Sequence, residues 1–232
     1  MAYPLYLTVR PVPPMESIPT LRACLENAFP HRENLAYLDS LCGSPLPRVT
    51  AERLGALSLL PSLLAEAGIP SESLILRRDE NGRPFCVRAD GSPADLDFNL
   101  SHSSAHVAAA LLVGNGRVGV DVEEIVPVPR AETLSRRFCT EGERALHPPS
   151  AEADPSALSE FFTKIWTTRE AIAKQAGTGM PLQYDCAKPP QGTRLWQGSL
   201  PDTNAAIALC APSQHAPSAP LLLSDSIHFI MQ

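Results

Sequence analysis

Apolar positions along the chain switch between strand and helix spacing. Leu5 to Val9 predicts a first strand and Thr20 to Ala28 a helix, followed by a proline- and polar-rich stretch that ends at Pro45-Leu46-Pro47. Nothing in these first residues suggests chemistry. From Thr50 to Gly68, TAERLGALSLLPSLLAEAG opens on a Thr cap and closes on Gly68 and Pro70, the start and stop signals of a helix. Pro61 inside it requires a kink or two abutting helices. Leu74 to Arg77 reads as a strand, and Asn81-Gly82 as a turn into Arg83-Pro84-Phe85. Asp97-Phe98-Asn99-Leu100 then leads into a polar knot, Ser101-His102-Ser103-Ser104.

The apolar run His106 to Val113, the turn Gly114-Asn115-Gly116 and the alternating stretch Arg117 to Glu123 together predict a β-hairpin. Arg130 to Leu146 predicts an arginine-rich helix, and His147 to Pro155 a proline-rich loop. Asp154-Pro155 places a capping acid before a proline at the first helical position, so a helix runs from Ser156 to about Ala176 and stops at Gly177. Beyond Asp185 the chain turns proline-rich, with strand candidates at Ala205 to Cys210 and Ser226 to Ile230. No solenoid period is present, but each half offers a helix plus a hairpin, an echo of two-fold organisation.

Composition narrows the class. At 232 residues and 44% hydrophobic content, the chain can build one large domain or two small ones. A net charge of -6 gives no basic footprint, which argues against general nucleic-acid binding. The opening MAYPLYLTVRPVP lacks a charged leader and a small-residue cleavage pattern, and no segment approaches the length of a membrane span. Six cysteines lie far apart without a CxxC pair or zinc spacing, which predicts buried thiols in a reducing cytoplasm.

The candidate chemistry begins at GVDVEEI, Gly119 to Ile125. On a strand, Val118, Val120 and Val122 share one face while Gly119, Asp121 and Glu123 share the other. Carboxylates two residues apart, about 7 Å along a strand, can both reach one hard divalent cation. A solvated edge strand guarded by acids accounts for the same pattern. Glu124 falls on the packed face and is expected to turn out to solvent at the strand end. In FFTKIWTTREAIAKQAG, Phe162, Ile165, Trp166 and Ala173 build an apolar face, and Glu170 and Lys174 stand four apart beside Arg169, before Gly177 and Gly179. That pair is an ordinary helix ion pair or part of a site holding metal and polyphosphate. His102, among hydroxyls, is either structural or a phosphate contact.

In order, Gly82-Arg83-Pro84, Phe98-Asn99-Leu100-Ser101-His102-Ser103, Gly119-Val120-Asp121-Val122-Glu123 and Trp166-Thr167-Thr168-Arg169-Glu170-Ala171 with Lys174 resemble the motif series of 4'-phosphopantetheinyl transferases of the Sfp (surfactin-synthetase-activating) type. The helix Arg53 to Gly68 looks like that family's upstream helix, so the likeness covers somewhat over half of the chain. The resemblance implies an α+β pseudo-dimer of two similar subdomains, residues 1–115 and 116–232, with coenzyme A in the cleft between them. It implies that Asp121, Glu123 and Glu170 bind Mg²⁺ or Mn²⁺ and that Lys174 contacts the pyrophosphate. Ser101 and His102 would face the coenzyme's phosphates, His102 the 3'-phosphate. Gly82, Arg83 and Pro84 would line the adenine and phosphate end, with Arg53, and secondarily Arg48, as further basic contacts.

The implied reaction is attack by a serine of an apo acyl or peptidyl carrier protein on the β-phosphate of coenzyme A. Glu170 would be the base, with Lys174 and Arg169 offsetting charge. The carrier could serve fatty-acid, polyketide or nonribosomal-peptide synthesis. Two departures from the family pattern are Arg169 where Lys is usual and Ser104 where Gly is frequent. Arg130, Arg136, Arg137 and Arg144 suit docking of an acidic carrier, although Glu132, Glu141 and Glu143 interleave with them. The expected protein is a cytoplasmic monomer with no nucleic-acid or membrane partner. The rivals are a binding protein of the same fold without turnover and another metal-dependent phosphotransferase.

Overall fold

The computed structural model describes residues 4–146, 154–179, 182, 184–188, 190–200, 203–213, 221–222 and 228–231. Strand β1 (Leu5–Pro11) leads into helices α1 (Ile18–Ala28), α2 (Arg32–Cys42), α3 (Pro47–Ser58) and α4 (Leu60–Glu66). The hairpin β2 (Leu74–Arg78) and β3 (Pro84–Arg88) follows, then β4 (Leu96–His102) and β5 (His106–Val113). The second half runs β6 (Gly119–Glu124), α5 (Val128–Phe138), α6 (Glu141–Ala145), α7 (Pro155–Ala176), β7 (Thr193–Ser199) and β8 (Ala205–Pro212). Short strands β9 (Leu221–Leu222) and β10 (His228–Met231) end the described chain.

One sheet has the order β4-β5-β1-β9 and the other β10-β7-β8-β6. The class is α+β, as expected. In each half a strand is followed by helices and then by two strands, and the last strand lies between the other two, antiparallel to both. Leu5, Leu7 and Val9 of β1, Ala108 and Ala110 of β5, Val120 and Val122 of β6, and Ile207 and Leu209 of β8 bury in one cluster between the sheets. Outside the first sheet, Leu54, Leu57, Leu60 and Leu63 pack on Phe98, Val107 and Leu111. Outside the second, Ala171 and Ile172 of α7 pack on Ala208 and Cys210. The result is helices, sheet, sheet, helices, with the site-bearing strands β4 and β6 at the sheet edges that meet.

The expected hairpin of 106–113 with 117–123 does not form. Strand β5 already has β4 on one side and β1 on the other, so no edge remains for β6. Gly114 and Gly116 adopt positive φ, 110° and 133°, and turn the chain into the second sheet, where β6 pairs with β8. Pro61 marks two helices, which abut at Leu59, and α3 starts at Pro47 after Leu46 rather than at the expected Thr50 cap. The stretch read as irregular contains α2, whose buried Tyr37, Leu38 and Leu41 form its core face. Its buried Asn34 donates to Phe29 and Leu74 carbonyls and accepts from Leu76 N at 2.7 Å, so a polar residue docks the helix on β2.

The expected helix 130–146 is broken by extended Cys139, after which Thr140 and Glu143 close a capping box at the start of α6. Helix α7 begins and ends as expected, with Asp154 Oδ1 accepting from Ser156 N at 2.9 Å and Gly177 at φ 74°. Strand β7 was not foreseen. Residues 147–153, in the expected proline-rich loop, and 226–227, in the last strand candidate, lie outside the described residues. All six cysteines are free; four are buried, but Cys24 is exposed and Cys42 half-buried. Among the described residues no helix is long and apolar enough to cross a membrane.

Candidate active site

The site starts from the way β6 is held. As the edge of its sheet, β6 would leave backbone N–H groups unpaired. Alternate residues of β4 supply acceptors instead: Asp97 Oδ2 takes Val118 N at 2.7 Å, Asn99 Oδ1 takes Val120 N at 2.9 Å and Ser101 Oγ takes Val122 N at 3.3 Å. The polar residues of the 97–101 stretch therefore stitch the two sheets together.

On its other face β6 meets α7. A Cβ at Gly119 would lie 2.0 Å from Ala171 O and 2.6 Å from Gln175 N, so this close approach requires glycine. It brings the far turn of α7 onto the acids. Lys174 Nζ donates to Asp121 Oδ1 at 2.6 Å, to Ser101 Oγ at 3.0 Å and to Val120 O at 3.3 Å, and Ser101 Oγ donates to Asp121 Oδ1 at 2.8 Å.

The other oxygen of Asp121, Oδ2, is buried with no hydrogen-bond partner. Burial and the neighbouring Asp121 push the Glu123 carboxyl up to about 7, and Lys174 only partly opposes them. Burial and Asp121 also raise Glu170. Buried acids that raise one another's proton affinity lack a compensating cation. Asp121, Glu123 and Glu170 offer only oxygen donors, as a hard divalent ion prefers. The orphaned Oδ2 is the kind of acceptor such an ion would satisfy. Among the described residues no three His, Cys, Asp or Glu side chains are gathered around one point, so the fit lies in donor chemistry and charge rather than in a preformed cage.

Two residues assigned to the phosphates face elsewhere. Arg169 is 2% exposed, and its Nε donates to Glu143 Oε1 at 2.9 Å, its Nη2 to Glu143 Oε2 and its Nη1 to Phe138 O at 3.0 Å. Consecutive helix residues point about 100° apart, so Arg169 turns to α6 while Glu170 turns to β6. Arg83 is also committed internally: its Nη1 donates to Lys174 O at 2.5 Å, and its Nη2 to Asp97 Oδ2 at 2.6 Å and Val118 O at 2.8 Å. It locks β3 to the end of α7.

Glu124 does not turn out to solvent either. Its Oε1 accepts from Ser103 Oγ at 2.7 Å, Ala105 N at 3.1 Å and His106 Nδ1 at 3.1 Å, and its Oε2 accepts from Ser104 N at 2.7 Å and Ser104 Oγ. Burial alone would raise this carboxyl, but those donors outweigh burial and hold it at about 2.

Two cavities flank the acids. Glu123 opens onto one of about 500 Å³, walled by Val126, Leu134, Phe138, Phe162 and Trp166, with Arg130 and Ser104 also lining it. His102 opens onto one of about 400 Å³ with Arg53, Arg78, Tyr37, Pro84 and Leu100. Pro84, Arg53 and His102 thus line one cavity together. Gly82 forms the turn at φ 79° and is absent from that lining. Arg48 bonds Glu52 Oε1 at 3.1 Å and Ser104 O at 2.7 Å instead of facing the cavity. Glu52 in turn lies 3.5 Å from His102 Nδ1. Burial lowers the His102 pKa, while the Glu52 charge opposes that shift.

On the arginine-rich segment, Arg136 pairs with Glu132 and Arg137 lies 5.1 Å over the Phe138 ring. Arg144 is drawn to Cys139 O at 2.5 Å. Sequence reasoning missed Asp97 and Asn99, whose shared face with Ser101 was readable from alternation. It also missed Glu143, announced by Thr140 three residues earlier. No signal marked Glu124 or Arg78.

Residues 117–200 match the 4'-phosphopantetheinyl transferase superfamily. The chain is 32% identical over 127 residues to the 4'-phosphopantetheinyl transferase gsp of Aneurinibacillus migulanus, a match covering 55% of this chain and 48% of that protein. It is 29% identical over 204 residues to the 4'-phosphopantetheinyl transferase AcpT of Escherichia coli strain K12, covering 86% of this chain and 97% of that protein. With AcpT of Salmonella typhimurium it shares 37% over 115 residues, 50% of this chain and 55% of that protein. The chain thus spans about half the length of gsp and nearly all of the E. coli AcpT.

Proposed function

We propose that the chain, whose residues 117–200 match the 4'-phosphopantetheinyl transferase superfamily, is a member of it and moves the 4'-phosphopantetheine arm of coenzyme A onto a serine of an apo acyl or peptidyl carrier protein. The observation that carries this reading is the uncompensated acid cluster of Asp121, Glu123 and Glu170, with Lys174 at its side, flanked by one cationic and one apolar cavity. The phosphoadenosine end of coenzyme A suits the cavity of Arg53 and His102, and the uncharged arm suits the cavity of Phe162 and Trp166.

Asp121, Glu123 and Glu170 would hold Mg²⁺ or Mn²⁺, which when bound supplies positive charge at the pyrophosphate. Lys174 exchanges its bond to Asp121 for one to a pyrophosphate oxygen, and Ser101 stays on Asp121 to keep the strand aligned. Glu170 accepts the proton of the carrier serine. The serine oxygen forms a bond to the β-phosphorus while the bond from that phosphorus to the leaving oxygen breaks, releasing 3',5'-ADP. Positioning and charge neutralisation dominate such transfers, so no protein nucleophile is needed. Arg169 takes no part in these steps and acts by fixing α6 against α7.

The repeated strand, helices and two-strand order supports reading the chain as a pseudo-dimer divided at 115/116. Its motif series supports the Sfp type, and the reading is completed by a monomer acting in the cytoplasm. A binder without turnover is the lesser reading, because holding coenzyme A does not require three carboxylates at its pyrophosphate. The test is mass spectrometry of apo carrier proteins after incubation with the protein, coenzyme A and Mg²⁺. One added phosphopantetheinyl arm is expected, and no transfer to any of several carriers would refute the activity.

A further inference from the structure

Glu123 is half-buried and lines the larger cavity, yet among the described residues its carboxylate has no hydrogen-bond or ion-pair partner. Asp121 is held by Ser101 and Lys174, whereas Glu123 is held by nothing of its own. Its direction therefore depends on the backbone at the end of β6, where Glu123 and Glu124 are the last two residues. On one side that end pairs with Ala206 and Ala205 of β8. On the other, the stitches from β4 advance two residues at a time, from Asp97 with Val118 to Asn99 with Val120 and Ser101 with Val122. The next position in that register joins Ser103 to Glu124, and there the bond uses the β6 side chain: Ser103 Oγ donates to Glu124 Oε1 at 2.7 Å.

The turn that receives Glu124 is itself fixed. Ser103 N donates to His106 O at 2.8 Å, Val12 N to Ala105 O at 2.7 Å and Arg48 Nη2 of α3 to Ser104 O at 2.7 Å. Against this platform Glu124 accepts from five donors on residues 103–106, and Ser104 supplies both its N–H and its hydroxyl, the second of which a glycine there would lack. Successive side chains of a strand point to opposite faces, so pinning the Glu124 carboxylate on one face stops the rotation of the strand end that would swing Glu123 on the other. An acid whose backbone is already fixed loses less freedom when a cation gathers it.

We propose that Glu124 is a positioning residue for the cation site, an inference that rests on the transferase reading above. It anchors the end of β6 on the 103–106 turn and so keeps Glu123 beside the charges of Asp121 and Glu170. Glu124 acts through Glu123 and is not itself a ligand, because its own oxygens are occupied by the turn.

The test is Mn²⁺ titrated into the full chain with coenzyme A present and read by electron paramagnetic resonance. Glu124→Ala should weaken Mn²⁺ binding about tenfold, the usual effect of removing a group that supports a metal ligand. Glu124→Gln, which keeps one carbonyl oxygen for the turn's donors, should fall between. Ser103→Ala separates positioning from charge, because it removes a stitch while the carboxylate stays. Positioning predicts weaker Mn²⁺ binding in that variant, and charge alone predicts binding unchanged or tighter. The same variant carries the test if those at Glu124 do not fold. Parent-like Mn²⁺ binding by Glu124→Ala or by Ser103→Ala would overturn the assignment and leave the transferase reading standing. If the parent binds no Mn²⁺ with coenzyme A present, the cation site of that reading falls and this inference falls with it.

Discussion

Arg169 and Glu170 are neighbours on α7, yet they enter two charge clusters in opposite condition. Around Arg169, Glu143 is fully buried and satisfied: its carboxylate accepts from the guanidinium and from the Thr140 and Cys186 backbone N–H groups. Around Glu170, Asp121 keeps a buried oxygen without a partner, and Glu123 is pushed up to about 7. The strand β6 repeats the contrast within two residues, with Glu124 held by five donors and Glu123 left short of compensation. Satisfied charge builds the frame, and unsatisfied charge marks where a ligand completes the structure. Arginine at 169 therefore leaves the acids free to work, since its charge is spent on α6.

Breaking each cluster should give opposite signatures. The largest effect is on turnover: Asp121→Ala or Glu170→Ala should cut transfer about a hundredfold or more. Thermal stability should be unchanged or improved in Glu170→Ala, where repulsion is relieved, and lowered in Asp121→Ala, which strands Lys174 and Ser101. Next, Arg169→Ala should cost about 3–5 kcal/mol in denaturant unfolding, since it strands a buried carboxylate. Transfer per folded molecule should survive better in that variant than in Glu170→Ala.

Smaller again is Glu124→Gln, expected to lose about 1–3 kcal/mol by leaving donors of the 103–106 turn unmatched. The folded pKa of Glu124 lies below its ordinary value of 4.5, at about 2, so its contribution is present above 4.5 and disappears as pH falls through 2. The variant should flatten the acid limb of a stability-against-pH curve. Glu123 has the reverse sign. Its folded value is raised from 4.5 to about 7, so its contribution is full below 4.5 and is lost as pH rises through 7. Glu123→Gln should remove that decline in chelated buffer, and urea melts from pH 4 to 8 would show it.

How much of this could be read in the chain follows the length over which each signal acts. Helix α7 was legible because its cap, proline and terminal glycine are local, and so were β1 and the alternation of β6. The β5–β6 hairpin failed because strand alternation does not say which edge is free, and β5 had none. Helix α2 was hidden because a polar residue, Asn34, does part of its docking. At the site, Asp121, Glu123, Glu170 and Lys174 came from ordered motifs; Lys174 contacts Asp121, and both acids Glu123 and Glu170 feel the charges of that pair. The directions of Arg83 and Arg169 depended on partners 14 and 26 residues away, which spacing along one element cannot supply.

The central claim is that the acid cluster is completed by a divalent cation together with coenzyme A. Its most direct measurement is electron paramagnetic resonance of Mn²⁺ titrated into the full chain with coenzyme A present, for the parent, Asp121→Ala, Glu170→Ala and Arg169→Lys. The account predicts one bound Mn²⁺ for the parent and for Arg169→Lys, and loss of that binding in the two acid variants. Equal Mn²⁺ binding by the parent and Asp121→Ala would contradict it.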